Sequence, residues 1–569
     1  MFLKTHKSYL ERALVVIGLI AALALAVACA PAPAAPTSAA PPPSAPVPTS
    51  ASIPTAPPPV AATSGPAATS APAATSAPSA GAGTTFSIAE GVDPDTLDPM
   101  GQTTTTVQNM VNYMAEGLVT LDPTGKIQPL LAKSWDISSD GLTYTFHLQQ
   151  GVKFHDGSTF DAAAVKASMD RILDPNNTVP LRGVLSAITS VDVVDPSTVK
   201  FTLKQPTAPL LAGLTETTAA ILSPATIDKS TPGYKKVDHP VGTGPYVFKE
   251  YTKGSQLVVT KNPNYWGKKP YYETVVFRIV PEAATRESLL LAGQVDMIIL
   301  PPVSDIPALQ KNPAVKVLLG PSDRTIFVAI NTTSKPLDNP KVRQALNYAV
   351  NKEAIIKNVL FGAADVMDAP IAPTLFGYCK TGPYPYDPAK AKQLLSEAGV
   401  APGTKLAFMS PTGRYVQDFQ AAQAISGYLK DVGIDATPVT MDWPSYVATM
   451  LKPQKENTTQ LHVLGWAPGY LDESQQILQF QSDQHPPSGL ATSFYSNPQV
   501  DSLAKQALAE TNETKRADLY CQANKIIWND APWIFLWVQR FPMVYSSKVT
   551  GIQGTPIEMW DTMNAHPAP

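Results

Sequence analysis

Histidine and cysteine are the residues best suited to catalysis or metal binding, and this 569-residue chain has seven and three of them. Their spacing builds neither kind of site. His147 and His155 sit either side of a turn with no cysteine or acidic cluster beside them. Two imidazoles without further ligands do not make a nickel or haem centre. The motifs G-x-S-x-G and H-E-x-x-H, a nucleotide-binding loop and paired Cys/His spacing are all absent. The one glycine-rich stretch, Gly242-Thr243-Gly244, is followed by a strand-like run instead of Gly-Lys-Ser/Thr, so it is not a phosphate loop. The expectation is a protein that is not an enzyme and carries neither cofactor nor metal.

The cysteines point outside the cytoplasm. Lys4, Lys7 and Arg12 precede the apolar run 13–28, which ends in Ala26-Val27-Ala28 before Cys29. That run is shorter than the about 20 residues a spanning helix needs, and it fits the core of a signal peptide, residues 1–28. The small residues before Cys29 resemble a bacterial lipobox, so Cys29 is the expected lipidation site; the alternative is ordinary cleavage near Ala30. Residues 29–83 are dominated by Pro, Ala, Ser and Thr, and 31–80 hold no charge. Such a segment cannot bury enough apolar surface to order itself and reads as a disordered tether. Cys379 and Cys521 remain, an exported pair that could form a disulfide. A formal net charge of -3 argues against nucleic acid as a partner.

The folded part alternates strand and helix signals. Thr143–Leu148 places Tyr144 and Phe146 on one face of a strand. Asp140-Gly141 and Asp156-Gly157 are turn dipeptides. Ser158, Thr159 and Asp161 offer capping groups for a helix carrying Ala164, Val165, Ser168 and Ile172 on one side. A helix over 107–116 sets Val107, Met110, Val111 and Met114 at helical spacing, with the preceding threonines as hydroxyl caps. Asp387-Pro388 opens a helix that Gly399 stops. Thr325–Asn331 and 531–538 are apolar enough for buried strands.

The wording of 125–171, GKIQPLLAKSWDISSDGLTYTFHLQQGVKFHDGSTFDAAAVKASMDR, resembles the signature of the family-5 extracellular solute-binding proteins of ATP-driven (ABC) importers. HPVGTGPY at 239–246, VRQAL at 342–346, YDPAKAK at 386–392 and DAPWI at 530–534 resemble the same family. The resemblance runs from about Phe86 to Trp560. It implies an α/β, bilobal periplasmic-binding-protein fold with an extra small domain, mixed sheets and a hinge of two crossing strands. The implied division is 84–124, 238–328 and 539–569 for the first lobe, 125–237 for the small domain and 329–538 for the second lobe. It implies a monomer, exported and lipid-anchored to the outer face of the cytoplasmic membrane. Such a protein captures a small solute, an oligopeptide first, in an inter-lobe cleft and delivers it to the permease subunits. An oligosaccharide or other amine-free solute is the alternative within the family; a surface adhesin or chaperone is the alternative outside it.

The resemblance also implies ligand-facing residues. In the peptide-binding members, the phrase matching 464–473 (LGWAPGYLDE) lines the cleft with its tryptophan and pairs an aspartate with the peptide amine. This chain keeps Trp466 and Tyr470 but has Gly469 at the aspartate position. A buried ammonium without a carboxylate is unfavourable. Either Asp472 or Glu473 therefore reaches the amine, or the ligand has none. Thr103, Thr105 and Leu181 map onto further ligand-facing positions.

Overall fold

The structure is a computed structural model that describes residues 85–569 apart from 95, 102, 103, 178, 228–236 and 442. The expected signal peptide and tether, Cys29 and Thr103 lie outside the described residues.

Three sheets organise the chain. The first has seven strands, in the spatial order Val315–Gly320, Phe541–Ser546, Met297–Ile299, Thr85–Glu90, Thr274–Ile279, Gln256–Lys261 and Tyr246–Thr252. It is mixed: Thr85–Glu90 runs parallel to both neighbours, and the other pairings are antiparallel. The second is a four-stranded antiparallel sheet of Ala132–Ile137, Thr143–Leu148, Thr198–Leu203 and Ile188–Asp195. The third has six strands, in the order Ala364–Val366, Trp533–Gln539, Thr325–Ile330, Leu461–Trp466, Phe408–Met409 and Pro438–Val439.

Burial follows the residue pattern. Thr143–Leu148 alternates, with Tyr144, Phe146 and Leu148 inside, because only one face of its sheet meets the core. Helix Ala162–Leu173 covers that face with Val165, Ser168, Met169 and Ile172, and Asp161 accepts a hydrogen bond from the Ala164 N–H at 3.0 Å. The strands Thr325–Ile330 and Trp533–Gln539 are buried at every residue and lie side by side in the third sheet. Phe327 stacks on Trp533 there, with centroids 3.4 Å apart. The helix expected over 107–116 spans Thr105–Val111, with Thr104 as its cap, and buries Val107, Met110 and Val111. The chain turns beyond Val111 so that Glu116 can bridge to Ile221.

Two segments join the first and third sheets. Residues 321–324 link Val315–Gly320 to Thr325–Ile330, and Arg540 links Trp533–Gln539 to Phe541–Ser546. The first crossing thus precedes Thr325, since that whole strand pairs in the third sheet and not only the part beyond 328. The crossings touch: the Gln539 N–H donates to the Arg324 carbonyl at 2.9 Å. Cys379 and Cys521, with Cα atoms 5.5 Å apart, form a disulfide. No helix among the described residues is long and apolar enough to cross a membrane.

Candidate functional site

A cavity of about 1320 Å³ is walled by all three sheets and their loops. The side of the first sheet contributes Thr105, Gln108 and Phe541, and the crossing segment contributes Asp323 and Arg324. The four-stranded sheet and its connections bring Leu181 and Thr207. From the third sheet come Arg414, Trp466, Gly469 and Tyr470. The structure therefore gathers Thr105, Leu181, Trp466, Gly469 and Tyr470 around one space, although they are far apart in the chain.

Trp466 ends the strand Leu461–Trp466 and is half-buried against the aromatic core of the third sheet. Its indole Nε1 has no hydrogen-bond partner. The side chain thus combines an apolar ring with an unused donor, a combination suited to anchoring a ligand. Tyr470 is packed more tightly, at 1% exposure, with its hydroxyl 3.2 Å from Ser474 Oγ.

Asp472 does not reach the cavity. Its carboxylate accepts from both terminal nitrogens of Arg516, at 2.5 and 2.7 Å, and from the Ser474 N–H at 2.9 Å, which starts the short helix Glu473–Gln476. Arg516 is itself held over the rings of Phe376 and Tyr520. A bidentate, buried pair of this kind has already spent the charge that would attract an incoming amine. Glu473 is fully buried, with Asn524 donating to its Oε2 at 3.1 Å, and burial pushes its carboxyl well above the usual range. Its Oε1 has no partner, but neither of the two acids expected to stand in at Gly469 lines the cavity.

Two groups that sequence reasoning missed line the cavity. Arg414 lies in the loop before helix Asp418–Asp431, and its guanidinium sits 5.0 Å from the Tyr415 ring and 5.2 Å from that of Trp443. No carboxylate lies within salt-bridge distance of it among the described residues. The Arg414-Tyr415 dipeptide in a loop after a strand was the available signal. Asp323, in the crossing segment, is 1% exposed and its Oδ2 is unpartnered. Burial first, then the nearby Glu558 carboxylate, push its carboxyl well above the usual range. No group of three or more His, Cys, Asp or Glu side chains suited to a metal occurs among the described residues.

Two lobes joined by two crossing segments, with a cavity of this size between them, have the layout of a protein that binds small solutes. The chain belongs to the bacterial extracellular solute-binding proteins of family 5, whose model matches residues 126–488. The glutathione-binding protein GsiB of Pectobacterium atrosepticum is 37% identical over 477 residues, 82% of this chain and 91% of that protein. The protein of the same name from Escherichia coli O157:H7 is 36% identical over 472 residues, again 82% and 91%. Among solved structures, the periplasmic binding protein DppA of Helicobacter pylori in complex with the peptide STSA superposes with a TM-score of 0.73 at 29% identity, covering 85% of this chain and 98% of that one. A dipeptide-binding protein of Pseudoalteromonas in complex with Met-Leu gives 0.73 at 26%, covering 85% and 100%. The chain is the solute-binding subunit of an ABC importer. The family and these relatives are binding proteins, not enzymes.

Proposed function

We propose that the chain captures short peptides outside the cytoplasm and hands them to its membrane permease. The observation that carries this is the composition of the cavity. Its volume exceeds the few hundred to about 1,000 Å³ of common small-molecule pockets, and its wall offers a stacking ring at Trp466 and an unpaired cation at Arg414. A zwitterionic chain of a few residues uses both. The named ligands of the relatives, glutathione and peptides, are of that kind.

Capture follows from the hinge. In the open form each lobe shows its half of the wall to water. A solute that touches both halves binds the closed form more tightly and shifts the population toward it. In this reading Trp466, Tyr470, Thr105, Leu181 and Thr103 contact the solute, and the protein acts as a monomer. Cys29 carries the lipid, and the tether lets the folded part search for the permease. The test is to purify the chain without denaturation, identify co-purifying solute by mass spectrometry, and titrate short peptides calorimetrically. Recovery of an oligosaccharide or another amine-free solute, with no binding of peptides, would overturn the peptide assignment.

A further inference from the structure

Among the described residues, six charged side chains line the cavity: Lys204, Asp323, Arg324, Arg414, Lys505 and Glu558. Their balance is one-sided. Arg324 and Glu558 neutralise each other in a largely buried pair. Asp323 is 1% exposed, and burial pushes its carboxyl well above the usual range, so it adds little negative charge near neutrality. Arg414, Lys204 and Lys505 have no carboxylate within salt-bridge distance among the described residues. The wall therefore carries unbalanced positive charge.

The two lysines come from opposite sides of the cleft. Lys204 follows the strand Thr198–Leu203 of the small sheet, and Lys505 stands on the helix Pro498–Ala509 of the second lobe. Both are exposed. Their elements meet where the Ala208 N–H donates to the Leu508 carbonyl at 3.1 Å. Lys505 is one helical turn from Leu508, about 5 Å, and Lys204 is four residues from Ala208, at most about 14 Å. Thr207 and Leu508 line the cavity beside them. The nearby acids of that helix are occupied. Asp501 accepts the Ser482 N–H at 3.0 Å and its hydroxyl at 2.5 Å, and Glu510 Oε1 accepts the Asn512 N–H at 2.8 Å. Closing the lobes thus sets two like charges on one rim.

We propose that Lys204 and Lys505 are specificity-determining residues of the cavity, and that its solutes are acidic peptides carrying a carboxylate beyond the C-terminal one. This rests on the peptide reading above and names the substrate class within it. Arg414 meets the first carboxylate. A second carboxylate between the lysines turns their repulsion into two attractions, and both exist together only when the lobes are closed. That differential affinity is what shifts the population toward the closed form. A neutral peptide leaves the repulsion in place, and a cationic one adds to it.

The test is calorimetry on the full chain at low salt, with alanine tripeptides carrying one glutamate at each position in turn and with their glutamine counterparts. The two sets match in shape and differ in charge. The wild type should favour the best glutamate peptide over its counterpart by about 10-fold, from two partly exposed ion pairs. Added salt should shrink that gap. The double variant Lys204→Gln/Lys505→Gln changes two exposed side chains and should erase the preference while glutamine peptides bind as before. Lys204→Glu/Lys505→Glu should invert it, toward peptides with a lysine at the same position. A glutamate preference that survives the double glutamine variant overturns the assignment. Equal wild-type affinity for the two sets overturns it as well and leaves the peptide reading standing; binding of no tripeptide of either set defeats both.

Discussion

Arg324 grips Glu558 with two nitrogens, Nε to Oε1 at 3.0 Å and Nη2 to Oε2 at 2.7 Å, across the point where the chain passes from the first sheet to the third. Ser322 donates to the same carboxylate at 2.9 Å. Glu558 is buried and Arg324 nearly so. One hinge segment is thus fastened to the C-terminal part of the chain by a charged pair shielded from water.

Breaking that pair should be expensive. Arg324→Ala leaves the Glu558 carboxylate buried without its cation, and removing one partner of such a pair costs about 3–5 kcal/mol. Urea unfolding of the solute-free protein should show this as a lower midpoint. A loss under about 1 kcal/mol, the range of exposed pairs, would mean the pair is solvated in solution.

The two aromatic-cationic features of the wall should separate in binding assays. Trp466→Ala should weaken peptide affinity by more than about 1 kcal/mol, the usual cost of truncating an aromatic anchor. Arg414→Ala should weaken peptides with a free C-terminal carboxylate and spare amidated ones. Arg414→Lys should not recover the loss, because an ammonium lacks the planar fork that meets a carboxylate in two bonds. Unchanged calorimetric affinity in either truncation removes that residue from the site.

Stability should fall on mild acidification. His462 is 1% exposed, its Nε2 is 2.8 Å from Thr492 Oγ1, and burial brings its imidazole down to about 4. An unfolded histidine takes up its proton near 6.5. Between those values the unfolded chain binds more protons, so this contribution is present above pH 6.5 and is lost as pH falls toward 4. The full swing is on the order of 3 kcal/mol. Glu216 works in the opposite sense, since its raised value favours the folded state most at low pH. The measurement is therefore the difference between wild type and His462→Gln across pH 7.5 to 4.5, and parallel curves would refute the contribution.

The disulfide between Cys379 and Cys521 closes a long stretch of the second lobe, with a sequence separation of 142. Replacing both cysteines by serine should cost about 2–5 kcal/mol. Neither cysteine lines the cavity, although Tyr520 beside the bridge does, so peptide affinity below the new melting temperature should move little. An affinity change there would tie the bridge to closure.

Local chemistry in the sequence determined a good deal. Alternation put Tyr144 and Phe146 inside, Asp161 and Asp387 capped the helices their positions suggested, and unbroken apolar runs made two adjacent, wholly buried strands of the third sheet. These outcomes depend on neighbours a few residues away, which periodicity and capping rules can see. The family phrases extended that reading to two lobes and to the stretch that ends in Trp466.

Where the acids around Gly469 end up was decided only by the tertiary structure. Asp472 stands three residues from Gly469, yet it is taken by Arg516, from a helix much later in the chain. Glu216 carries no local motif and comes from a turn beside the small sheet, yet it arrives at Gly469 and sets what can stand there. A carboxylate goes to whichever partner or void the packing of distant elements provides, because desolvation and Coulomb energy depend on separation in space and not along the chain.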